Sequence, residues 1–209
     1  MSLIVNENST SSISPIAEGT HLGVCNMLVD LGVQFNETFK NQSRKVLIGW
    51  EIPDETIELE DGTHNRTITQ RYTASLNEAS NLRRDLAAWR GRDFTEAELE
   101  EFNLRNIVGA SCLLNIIHKT RNGKTYANIQ SIMALPKGMK KAEPKEKVII
   151  FDLDEATLDD VDDLPRWIGD VVKKSITYQE MVDADNKAYE DGSNNSPFDG
   201  LEDDGDLPF

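Results

Sequence analysis

The basic side chains of the first two thirds of the chain fall in groups: Arg44 with Lys45, Arg83 with Arg84, Arg90 with Arg92, and Lys119 with Arg121 and Lys124. Arg71 lies in RTITQRYTASL (66–76), five residues after Arg66 and two before Thr73. Cations set along strands and hairpin ends can each neutralise one phosphate of a polyanion, and a hydroxyl such as that of Thr73 can add a hydrogen bond. Arg44, Lys45, Arg71, Arg90, Arg92, Lys119, Arg121 and Lys124 are therefore candidate phosphate contacts, although each taken singly is as well explained as solvated surface. Tyr126 alternates with Lys124, Asn128 and Gln130, so its ring has no core to fill on that face. A ring so placed can stack on a base, worth about 1 to 3 kcal/mol and available to every base. Trp50 is open to both readings, because Val46, Ile48 and Ile52 share its face.

Strands must hold these groups. Apolar, β-branched segments at 21–35, 44–52, 66–76, 106–120 and 123–135 predict five of them. Alternation turns Ile68, Tyr72, Ala74 and Leu76 inward and Arg71 and Thr73 outward; it turns Ala127, Ile129 and Met133 inward and Tyr126 outward. Asn122-Gly123 predicts a hairpin between the last two strands. Between the third and fourth, the period becomes helical: Ser80 caps a helix carrying Leu82, Leu86 and Trp89, and Gly91 ends it. Thr95 and Glu98 then form a capping box, stapled by Phe94 and Leu99, for a short helix through Phe102. This mainly β order, three strands, a helical insert and a hairpin, matches the oligonucleotide-binding (OB) fold, a five-stranded Greek-key barrel whose open face takes single strands. The period alone also admits another small β barrel.

The 209 residues carry 37 acidic and 22 basic side chains, a formal charge of −15. A uniformly acidic surface would repel phosphates, but the charge is unevenly spread. Residues 1–142 hold 16 basic and 17 acidic groups, whereas residues 143–209 hold 6 and 20. The expected organisation is a flexible Ser/Asn-rich lead-in (1–17), the barrel (18–142), an acidic extension (143–189) and a largely disordered acidic tail (190–209). In the extension, Val148–Phe151 could form a further strand and 165–174 a helix burying Trp167, Ile168 and Val171, pieces expected to pack weakly or on demand.

No apolar run approaches the roughly 18 residues of a membrane span, and the opening Met1-Ser2-Leu3 lacks the pattern of a secretion signal. Cys25 and Cys112 are too few for a disulfide framework, which points to a reducing cytoplasm. His21, His64 and His118 are scattered without metal spacing, and there is no glycine-rich phosphate loop or GxSxG elbow, so no metal, cofactor or catalytic residue is expected. VIIFDLDEATL (148–158) resembles the first motif of haloacid-dehalogenase-type phosphatases, in which Asp152 would attack phosphorus and Asp154 handle protons. Thr157 falls one place too late for that motif, and only 51 residues follow Leu158. The expected reading there is a terminal strand running into an acidic turn.

Two resemblances add to this. Asp203, Asp204, Asp206, Leu207, Pro208 and Phe209 resemble the acidic tip of bacterial and phage single-stranded-DNA-binding proteins. WEIP (50–53), YTASL (72–76), NLRRDLAAWRGRDF (81–94) and GKTYANIQSIMALPKG (123–138) are similar to blocks of a group of phage-encoded single-stranded-DNA-binding proteins with the OB fold. The resemblance implies a non-enzymatic protein of the host cytoplasm that coats single-stranded DNA, with little sequence preference, in phage replication or recombination. Its tip would recruit partner enzymes, with Phe209 filling an apolar pocket and the aspartates facing a basic rim. Self-association is compatible with it. The alternative is a protein-interaction module or DNA mimic that binds no strand directly.

Overall fold

The computed structural model describes residues 14–193, with side chains as far as Lys187. The chain divides into two compact units, one formed by residues up to Asp30 together with Lys45–Phe151, the other by Leu31–Arg44 and the residues from Asp152 on.

Six strands make one sheet: β1 (Gly19–Asn36), β2 (Asn41–Leu59), β3 (Gly62–Thr73), β4 (Ser111–Arg121), β5 (Lys124–Met133) and β6 (Ile149–Phe151). Their order is β3-β2-β1-β4-β5, and β6 runs parallel to β1 at Met27–Val29. The pairs β2–β3, β1–β4 and β4–β5 are antiparallel. β3 and β5, the ends of that path, come into contact, and helix α1 (Asn81–Arg90) touches both.

The helical insert follows its caps. Ser80 Oγ accepts from Leu82 N at 3.2 Å, and Gly91 closes α1 in the left-handed region at φ 69°. α1 turns Leu82, Leu86 and Trp89 into the core, where the Trp89 ring lies 5.6 Å from that of Trp50. The Trp89 indole N–H donates to Ser111 O at 3.0 Å. Thr95 and Glu98 close the capping box of α2 (Glu96–Glu100), and Phe94 meets Phe102 edge-on at 5.0 Å. A 3-10 turn (Leu104–Ile107) replaces the start expected for the fourth strand.

Two irregularities alter the expected faces. Asn115 pairs with Ser131 but Ile116 pairs with Ile129, so Gln130 is an extra residue on β5. A bulge of this kind reverses the alternation beyond it. Ile132 is therefore buried, and Met133, which strict alternation puts inside, is 39% exposed. On β2, Pro53–Glu55 interrupt the ladder between Ile52 and Thr56, a position where proline's missing N–H costs no rung.

The second unit has its own core. After Leu153 come α3 (Leu158–Asp162), α4 (Arg166–Val172) and α5 (Ile176–Ser193). Leu153, Val161, Leu164, Ile168 and Val172 are buried, so these pieces pack more firmly than their acidic surroundings suggest. Gly32 is needed there: its φ is 68°, and a Cβ would come within 2.7 Å of Ser175 Oγ and 2.8 Å of Leu153 Cδ2. Val33 N donates to Thr177 Oγ1 at 3.0 Å, and Gln34 Nε2 to Val171 O at 3.1 Å. Ile168 and Val172, four apart, define the buried stripe of α4; Trp167 lies one position off it and is 50% exposed. Among the described residues no helix is long and apolar enough to cross a membrane.

Candidate nucleic-acid interface

Asn122 (φ 52°) and Gly123 (φ 73°) both adopt left-handed conformations, as a tight type I′ hairpin requires. The turn sets Arg121 opposite Lys124 and Lys119 opposite Tyr126. Lys119, Arg121, Asn122, Tyr126, Ala127 and Asn128 line an open groove of about 640 Å³. Tyr126 is 50% exposed, and Lys119, Arg121 and Lys124 are exposed without an ion pair to any described residue. The groove therefore offers free cations around a half-exposed ring.

A second groove, of about 460 Å³, is lined by Lys45, Gln70, Arg71, Thr73, Ser75 and Asn81, among others. Lys45 Nζ donates to Thr73 Oγ1 at 2.6 Å, and Arg71 is exposed with no ion pair to a described residue. Tyr72 points the other way, into the core, and its hydroxyl donates to Asp85 Oδ2 at 3.0 Å. Burial pushes the Tyr72 phenol far above its ordinary range. The two grooves share no residue. Arg71 and Thr73 stand at the end of β3 and Lys124 and Tyr126 at the start of β5, which runs parallel to β1.

Four expected contacts stand elsewhere. Trp50 is fully buried in the core, so of its two readings the core one is observed and the ring is not offered to a ligand. Arg90 is folded inward: its Nη2 donates to Glu98 Oε1, and its guanidinium lies 4.4 Å from the Phe94 ring centre and 5.3 Å from that of Phe102. Arg92 holds the same carboxylate with two bonds, 2.8 Å to Oε2 and 2.7 Å to Oε1. Arg92, then the Thr95 N–H and Arg90, hold the Glu98 carboxyl down at about 2. Both arginines are thus clasps of the insert rather than free phosphate contacts. Arg44 belongs to the second unit, where its Nη2 pairs with Asp154 Oδ2 at 2.7 Å. Arg83 and Arg84 are similarly engaged, with Asp93 at 3.5 Å and Asp85 at 2.9 Å.

Asp152 Oδ1 accepts from Asp154 N at 3.3 Å, closing a local turn, and β6 is only three residues long. The tip residues Asp203, Asp204, Asp206, Leu207, Pro208 and Phe209 lie outside the described residues.

Glu51 is a residue the alternation does not single out. It is completely buried, and its carboxylate accepts from Lys145 N, Glu146 N and Asn65 Nδ2 at 2.6 to 3.0 Å. It ties the chain after β5 onto β2 and β3. A signal for this region exists in the sequence: residues 102–142 contain seven Lys or Arg and no Asp or Glu. Over that window the hairpin and the segment behind it form one basic stretch free of acids. No protein-family model matches this chain, and no curated protein matches it either.

Proposed function

We propose that the first unit is an OB-type fold that binds single-stranded DNA, and that the protein coats such strands during phage replication or recombination. The observation that carries this is the β4–β5 hairpin, where three cations free of described acidic partners surround a half-exposed tyrosine. That combination gives phosphate attraction and base stacking without a base-specific donor pattern, which suits binding of little sequence preference. The strand order β3-β2-β1-β4-β5, with α1 against β3 and β5, supports the OB reading. The acidic Asp203–Phe209 tip is proposed to recruit partner enzymes, and no catalytic step is assigned to the chain.

A second reading has an observation in its favour. Asp154, Asp159, Asp162, Asp163 and Asp170 are exposed on the second unit, as a DNA mimic directed at a protein would need. Titrating labelled oligo-dT with the full chain at two salt concentrations separates the readings. Strand binding gives an affinity that falls steeply with salt; a protein-directed module gives no binding at either.

A further inference from the structure

Between β5 and β6 the chain forms a polar strap, residues 136–147, whose charges are sorted by direction. Lys137, Lys140, Lys141, Lys145 and Lys147 are exposed, and none makes an ion pair with a described residue. Glu146 is turned inward, where Oε1 accepts from Asn65 N at 2.8 Å and Oε2 meets His64 Nδ1 at 2.9 Å. Only Glu143 faces out among the lysines. Two ties fix the backbone. The buried Glu51 carboxylate takes the N–H groups of Lys145 and Glu146, and Ser111 Oγ both accepts from Ala142 N at 3.0 Å and donates to Ala142 O at 3.1 Å. A buried carboxylate satisfied by N–H donors needs no cation, so it holds the strap without using up a lysine. Cations on a fixed backbone also lose less freedom on binding than cations on a loose one.

We propose that this strap is a phosphate rail, a strand-contact element additional to the hairpin groove, with Glu51 as its positioning residue. The inference rests on the single-stranded-DNA reading. Its test uses the full chain and a labelled 30-nucleotide oligo-dT, with the slope of log affinity against log salt as readout. Each phosphate contact on a single strand contributes about 0.7 to that slope. Lys140→Gln/Lys141→Gln/Lys147→Gln should lower it by about 2, so that between about 50 and 200 mM salt the variant loses roughly 20-fold less affinity than the parent. Parent binding with an unchanged slope in this variant overturns the rail alone; absence of parent binding removes the strand-binding reading and the rail with it. Glu51→Ala should speed tryptic cleavage after the strap lysines and lower the slope, with Glu51→Gln, which keeps one acceptor, in between. Faster cleavage at the parent slope overturns the role of Glu51. Ser111→Ala releases the other tie and gives the same pair of readouts should Glu51→Ala not fold.

Discussion

The helical insert and the β4–β5 hairpin carry basic residues at similar density, yet they use them differently. In the insert, Arg90 and Arg92 converge on one carboxylate, Glu98, and Arg90 also covers two phenylalanine rings. In the hairpin, Lys119, Arg121 and Lys124 have no acidic residue in their own segment and no ion pair to a described one. A cation six or eight residues from a glutamate that a capping box has already oriented is captured locally; the cations of a hairpin without acids make no ion pair to a described residue. The two regions therefore differ in how much of their positive charge is already paired, rather than in how much they carry.

The comparison is broken most forcefully by neutralising the hairpin. Lys119→Gln/Arg121→Gln/Lys124→Gln should lower oligo-dT affinity by on the order of 100-fold at low salt and flatten the salt dependence by about 2 in slope. Wild-type affinity in that variant would return the three cations to solvated surface. Tyr126→Ala should cost about 1 to 3 kcal/mol of binding with the salt slope unchanged, because it removes a stacking platform and no charge. Tyr126→Phe should retain most of the affinity, and an equal loss in both variants would argue against stacking.

The insert should respond in the opposite sense. Arg90→Ala is expected to lower folding stability by about 1 to 3 kcal/mol through lost ring contact and packing, measured by chemical denaturation, while the salt slope of binding stays at the parent value. A lowered slope would make Arg90 a strand contact after all. The smallest effect is in acid. Because Glu98 is held at about 2, its clasp contributes stability that is present above the ordinary carboxylate range and is lost as pH falls toward 2. Glu98→Gln should flatten that part of the stability profile; an identical acid profile in the two proteins would contradict the clasp.

Much of this architecture is legible in the residue pattern. The strand order through the hairpin, the Ser80 and Gly91 caps and the Thr95–Glu98 box follow from local chemistry, since each depends on residues within a few positions of one another. The outward placement of Arg71 and Tyr126 follows from alternation in the same way. What escaped is non-local. The bulge at Gln130, which exchanges Ile132 and Met133, has no residue signature of its own, because asparagines, serines and glutamines fit either register. Trp167 reads as core by type and is exposed because Ile168 and Val172 occupy the stripe. The capture of Arg44 by Asp154 spans 110 positions, and the burial of Glu51 depends on N–H groups more than 90 residues later. Neither distance can be seen from spacing. A charged residue in an apolar strand, Trp50-Glu51-Ile52, was nevertheless a sign that something polar had to meet it.

The most direct measurement is the fluorescence anisotropy of labelled oligo-dT titrated with the full chain across a range of salt. Strand binding gives a rise at low salt that weakens linearly in log–log form and that the hairpin triple variant mostly loses. An anisotropy that stays flat at low salt, with the chain folded, would contradict it.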